Sequence, residues 1–139
     1  MAELKTANLE GLALDWAVAK SIGWVNYPED SVEHGKIWHI EPTKAPFGRI
    51  MSAESWKPST TWAQGGPLLV EHDIIFRKYH RPDSPDHGKY YAMVHRDSGQ
   101  IVHWSRRTSL TGPTPLIAAM RCLVAYGLGD TIDIPEELL

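Results

Sequence analysis

The chain has 139 residues, 42% hydrophobic and 22% charged, with a formal charge of -3 from 14 basic and 17 acidic side chains. That length suits a single domain over residues 1–139 with a core needing no metal or disulfide staple, and the mildly acidic balance argues against a duplex nucleic-acid partner. No apolar run approaches the roughly 20 residues of a membrane span. The opening MAELKTANLEG lacks the layout of a signal peptide, and one cysteine, Cys122, fits a reducing cytoplasm.

The strongest N-terminal signal is Leu9 to Ser21. Leu9, Leu12, Ala13, Trp16 and Ala17 recur at helical spacing and predict a half-buried helix. Thr6 or Asn8 can cap its start, and Gly23 can end it in a left-handed conformation. Residues 24–66 then read as a long irregular segment, with Pro28, Pro42, Pro46 and Pro58 and strand character only at Lys36–Ile40 and Arg49–Met51. Stretches of that kind are often binding loops or lids, the plainer alternative being a surface insertion over 26–48. After Gly65-Gly66-Pro67, Leu68–Val70 reads as a short strand and Asp73–His80 as another. Arg81–Gly88 is a break.

Lys89–His95 and Gln100–Arg107 flank Asp97-Ser98-Gly99, the spacing of a hairpin with a glycine bulge. Pairing across it puts Tyr90, Ala92, Val94, Val102 and Trp104 on one face. The last helix is the best punctuated. Thr114 sits at its N-cap, Pro115 at its first position and Gly127 or Gly129 at its end, with Leu116, Ala119, Met120, Leu123 and Val124 as the buried stripe. Thr131–Ile134 and a terminal turn follow. The expected fold is α+β, two helices packed on an antiparallel sheet of four to five strands.

Six Trp beside two Phe is the oddity of the composition. Two of them, Trp56 and Trp62, bracket a polar stretch that ends in Gly65-Gly66. Glycine-flanked amides with the Ser59 and Thr60 hydroxyls could hold an anion. The Trp62 face could stack a planar ring, and the Gln64 amide could read its edge. On the plainer reading Trp62 anchors the loop and Gln64 satisfies backbone groups. Asp15 beside Trp16 is a carboxylate in an apolar helix, facing water or bonded to that loop. Arg106 or Arg121 would add a planar fork for phosphate or carboxylate, though paired arginines at a strand end are usually solvated.

Cys122, mid-helix among apolar neighbours, reads as core. The seven His show no helical i, i+4 pair and no cysteine pair joins them, so no metal site is expected. No nucleotide, hydrolase or zincin signature is present, and no cofactor is expected.

Three blocks together carry a family resemblance: Leu12-Ala13-Leu14-Asp15-Trp16-Ala17-Val18-Ala19, Pro58 to Pro67 (PSTTWAQGGP), and Thr114 to Cys122 with Leu128-Gly129-Asp130 and Ile134 to Leu138. They resemble the phage NinX-like family. Thr61 stands where that family often has Asp. The resemblance implies a small phage or prophage accessory protein acting in the host bacterial cytoplasm. The expected function is non-catalytic binding of a small nucleotide-like molecule, sequestering a host defence signal. The expected ligand residues are Asp15, Trp16, Ser59, Thr60, Trp62, Gln64, Gly65, Gly66, Arg106 and Arg121. One alternative is a module that blocks a host protein through Trp24, Trp38 or Trp56. The other is a hydrolase pairing Asp15 with His95 or His103. A homo-oligomer sharing its pocket at a two-fold axis fits the first reading.

Overall fold

The computed structural model describes residues 1–26, 37–40, 49–52, 54–95, 101–102 and 110–139. The hairpin turn at 97–99, Trp104, His103 and Arg106, and most of the expected loop over 26–48, lie outside the described residues.

Strand β1 (Ala2–Lys5) pairs antiparallel with β9 (Thr131–Ile134), Leu4 opposite Ile132. This strand is absent from the sequence expectation. After a single 3-10 turn, α1 (Gly11–Ser21) begins, and Gly11 takes φ +56 there. Neither proposed cap serves it: Thr6 is buried and donates its hydroxyl to Gly129 O at 2.7 Å, and the N-cap is an extended Glu10. The end is as expected. Gly23 has φ +87, its N–H reaches Lys20 O, and Trp24 N–H reaches Ala19 O. Those two bonds form a Schellman cap.

The burial of α1 differs from a one-sided stripe. Every residue from Ala13 to Ala19 is buried, whereas Leu12 is 48% exposed. The helix is sandwiched, touching the last helix on one side and the 56–59 segment on another. Amphipathic spacing therefore marks only part of its contact surface.

The segment expected to be irregular over 24–66 contains β2 (Val25–Asn26), β3 (Ile37–Ile40) and β4 (Arg49–Ser52), a three-stranded antiparallel sheet in that order. It also contains the start of a third helix, α2 (Trp62–Glu71). The expected strand at Leu68–Val70 is part of this helix, and the expected pair of helices is a trio. Gly65, Gly66 and Pro67 are poor helix residues, costing roughly 1 kcal/mol for each Gly and about 3 for Pro in an interior. Packing outweighs that cost, because Gly65, Leu68 and Leu69 are buried.

Strand β5 (Ile74–Lys78) pairs with β6 (Tyr90–His95), which pairs in turn with β7 (Ile101–Val102) and β8 (Thr111–Gly112). The register Val94↔Val102 is the one the hairpin spacing predicts. Helix α3 (Pro115–Leu128) crosses β5, β6 and β8 and contacts α1 and α2. Its predicted stripe is buried, and Ala118, Cys122 and Ala125 are buried with it. The result is the α+β class, its core lying between α1, α3 and the four-stranded sheet.

The Thr114 hydroxyl accepts the Ile117 N–H at 3.2 Å. Thr114→Ala is expected to lose about 1 kcal/mol of unfolding free energy, measured by urea denaturation, and Thr114→Ser to retain it.

Candidate functional site

Four of the residues predicted as ligand contacts do converge, and they converge on one another. Asp15 is only 5% exposed, and its Oδ1 accepts the backbone N–H of Ser59 at 2.9 Å. Trp56 donates its indole N–H to Asp15 O at 2.9 Å. Gln64 reaches back from α2, accepting Lys57 N–H through Oε1 and donating from Nε2 to Ser55 O, both at 2.6 Å. Gly65 lies against the Pro58 carbonyl and the Leu116 side chain. Together these contacts pin residues 55–59 between α1 and α2.

Burial pushes the Asp15 carboxyl above its ordinary pKa, while the Ser59 N–H and the charge of Lys57 pull it partly back. The Ser59 hydroxyl is itself buried and outside hydrogen-bonding geometry with any described atom. Trp16 is buried beside the cluster with Lys20 Nζ 5.0 Å from its ring centroid. Trp56, predicted as an interface anchor, is core instead, with its ring centroid 4.2 Å from that of Trp24. Its indole N–H has a partner inside the fold, so the ring has reason to be buried.

Thr60, Trp62 and Gly66 lie on the outer side. Thr60 is exposed, its N–H donated to Lys57 O. Trp62 is 53% exposed and stands 6.0 Å from Phe76, which stands 6.4 Å from Tyr90. The glycine pair is helical, and Gly65 N–H is donated to Thr61 O at 2.8 Å. That amide closes a helical turn.

Arg121 occupies a different place. Its Nε donates to Leu9 O at 2.8 Å and its Nη1 to Thr111 O at 2.6 Å. Burial lowers its pKa, and nearby Glu10 offsets part of that. No carboxylate among the described residues is ion-paired with it. The guanidinium lines a cleft of about 550 Å³ with Lys5, Ala7, Asn8, Glu10, Asp86, Lys89 and Thr111. Lys89 pairs with Asp86 at 3.3 Å. Asp15, Trp62 and Gln64 do not line this cleft. Its other walls went unrecognised in the sequence, because Lys5, Asn8, Lys89 and Thr111 come from separate elements and form no motif.

Cys122 is fully buried, and burial pushes its thiol up to about 12, which suits a packing residue and not a nucleophile. Among the described residues, no group of three or more His, Cys, Asp or Glu is placed to hold a metal, and no helix is long and apolar enough to cross a membrane.

The family model described as "Bacteriophage P22, NinX" matches residues 5–126, which takes in the α1 block, the Pro58–Pro67 block and Thr114 to Cys122. No curated protein matches the chain. A match over that much of the length, in chain order, places this chain in the bacteriophage P22 NinX family.

Proposed function

We propose that this chain is a non-catalytic phage accessory protein that binds a small nucleotide-like anion in the Arg121 cleft and withholds it from the host cytoplasm. The carrying observation is the guanidinium itself. It is held in place by two neutral carbonyls and lines the cleft with no carboxylate among the described residues ion-paired to it. A partly buried cation of that kind favours an anionic partner, because burial strengthens charge-assisted hydrogen bonds. The volume of about 550 Å³ falls within the range of roughly 300–1,000 Å³ typical of small-molecule sites. Lys89 is paired with Asp86 and Glu10 also lines the cleft, so Arg121 and Lys5 leave it a net positive charge, and Asn8 and Thr111 offer polar groups for orientation. Asp15, Ser59 and Gln64 then serve the scaffold, and Trp16 packs beside them.

Thermal-shift measurement against mononucleotides, dinucleotides and ADP-ribose derivatives tests the proposal. A ligand at about 100 times its Kd is expected to add roughly 2.7 kcal/mol, raising Tm by several degrees. Lys5→Glu, an exposed cleft residue, is expected to abolish the shift while leaving the unliganded Tm close to that of the parent. The absence of stabilisation by every member of the set would defeat the proposal. So would an unchanged shift in Lys5→Glu.

A further inference from the structure

Helix α2 turns an apolar face outward. Trp62, Gly66 and Val70 fall at i, i+4 and i+8, on one side of the helix. Trp62 is 53% and Val70 85% exposed, and Ala63 and Pro67 beside them are exposed as well. No charged residue interrupts the helix before Glu71 at its last position. Gly66 leaves the middle of this face low, since a Cβ built there would meet nothing within 4 Å except Trp62 Cε3 at 3.8 Å. Helices that are apolar on every side are normally covered on every side.

We infer that this face is covered by a second copy of the chain, the two α2 helices packing antiparallel about a two-fold axis at Gly66. An isologous contact must be complementary to itself, and this face meets the requirement. With the axis at Gly66, the Trp62 ring of one copy lies over the Val70 of the partner subunit, and the reverse contact repeats it. The glycines at the axis let the backbones approach. The charges agree with the same register. Glu71 ends α2, and the start of α2 carries the partial positive charge of a helix N-terminus with no side-chain cap from Thr61. Antiparallel packing sets each Glu71 beside the partner helix's uncapped start. Phe76, in contact with Trp62, widens the apolar area. The apolar face rests on a few exposed residues, Trp62, Ala63, Pro67, Val70 and Phe76, well short of the roughly 20–30 residues a side of a standard stable interface. The dimer is therefore weak and concentration-dependent.

Sedimentation equilibrium from about 5 to about 500 µM tests the inference, with the upper limit set by the small interface. The expected result is a shift from monomer mass toward dimer mass across that range. Val70→Glu is expected to remain monomeric throughout, because it sets a carboxylate over the partner's Trp62 ring. Val70 is so exposed that the variant should keep the parent's Tm, and the Lys5-dependent ligand shift should also survive. A parent protein that stays monomeric throughout would overturn the inference. So would a Val70→Glu protein that dimerises as the parent does.

Discussion

Replacing Gly65 with alanine is expected to destabilise the protein by about 2 kcal/mol or more, although alanine is the better helix former. A Cβ at this position would collide with the Pro58 carbonyl and come within 2.7 Å of Leu116 Cδ2. Side-chain overpacking alone typically costs about 1–3 kcal/mol. Here one obstacle is backbone, which yields less readily than the end of a side chain. That backbone is also anchored on both sides of Pro58, by Trp56 to Asp15 O and by Ser59 N–H to the Asp15 carboxylate. The gain of about 1 kcal/mol in helix propensity does not offset the collision. The neighbouring glycine provides the control. Gly66→Ala meets only an ordinary contact at 3.8 Å and is expected to stabilise by roughly 0.5–1 kcal/mol. Melting curves of the two variants should thus move in opposite directions. A small domain shifts by several degrees per kcal/mol. If Gly65→Ala raised Tm as Gly66→Ala does, the close approach of α2 to the 58 turn would be wrong.

The same glycines explain why α2 was hidden in the sequence. Local preference at Gly65-Gly66-Pro67 opposes a helix, and only contacts with residues distant in the chain reverse it. Helix α3 was legible because its signals are local and agree: Thr114 caps, Pro115 fits the first position, and the apolar stripe has the helical period. Helix α1 was legible in extent, with Gly23 ending it, but not in orientation. Its Leu14 and Val18 are buried against partners that periodicity alone does not reveal. The β6–β7 register could be read from alternation about 97–99, whereas β1 offers only Leu4 as a core-facing large residue and pairs with the far end of the chain.

The hydrogen-bonding needs of Asp15 and Gln64 were legible in the sequence, and the position of the Arg121 cleft was not. A carboxylate in an apolar helix requires a hydrogen-bond partner, and Asp15 has one in Ser59, within the predicted block. Gln64 has the bidentate amide role anticipated for it, directed at Lys57 N–H and Ser55 O. The cleft around Arg121 depends on β1, β8, α3 and the connection before β6 meeting in space, and no spacing rule encodes that meeting.

Asp15 provides the second large effect, and its pH dependence separates scaffold from recognition. Asp15→Ala leaves the buried Ser59 N–H without its acceptor and is expected to cost about 1–3 kcal/mol. Asp15→Asn keeps an acceptor for that N–H, and its amide would meet the buried Ser59 hydroxyl, whose acceptor capacity is unused. The sign of the pH effect follows from the direction of the shift. The folded-state pKa is raised above 3.8, chiefly by burial, so the folded state binds the proton more tightly than the unfolded chain. The resulting stability is fully present below the unfolded pKa and is lost as pH rises through the folded one. Above its raised pKa the parent carries an ionised, desolvated carboxylate, and there Asp15→Asn is expected to be at least as stable. As pH falls through the raised pKa toward 3.8, the parent should gain on Asp15→Asn, a difference that cancels the titration of every other carboxylate common to both. Urea denaturation of parent, Asp15→Asn and Asp15→Ala between pH 4 and 8 measures all three. If Asp15→Asn lost as much stability as Asp15→Ala at pH 7, the negative charge itself would be required, and the pin between α1 and the 55–59 segment would have to be reconsidered as a site that recognises a cation.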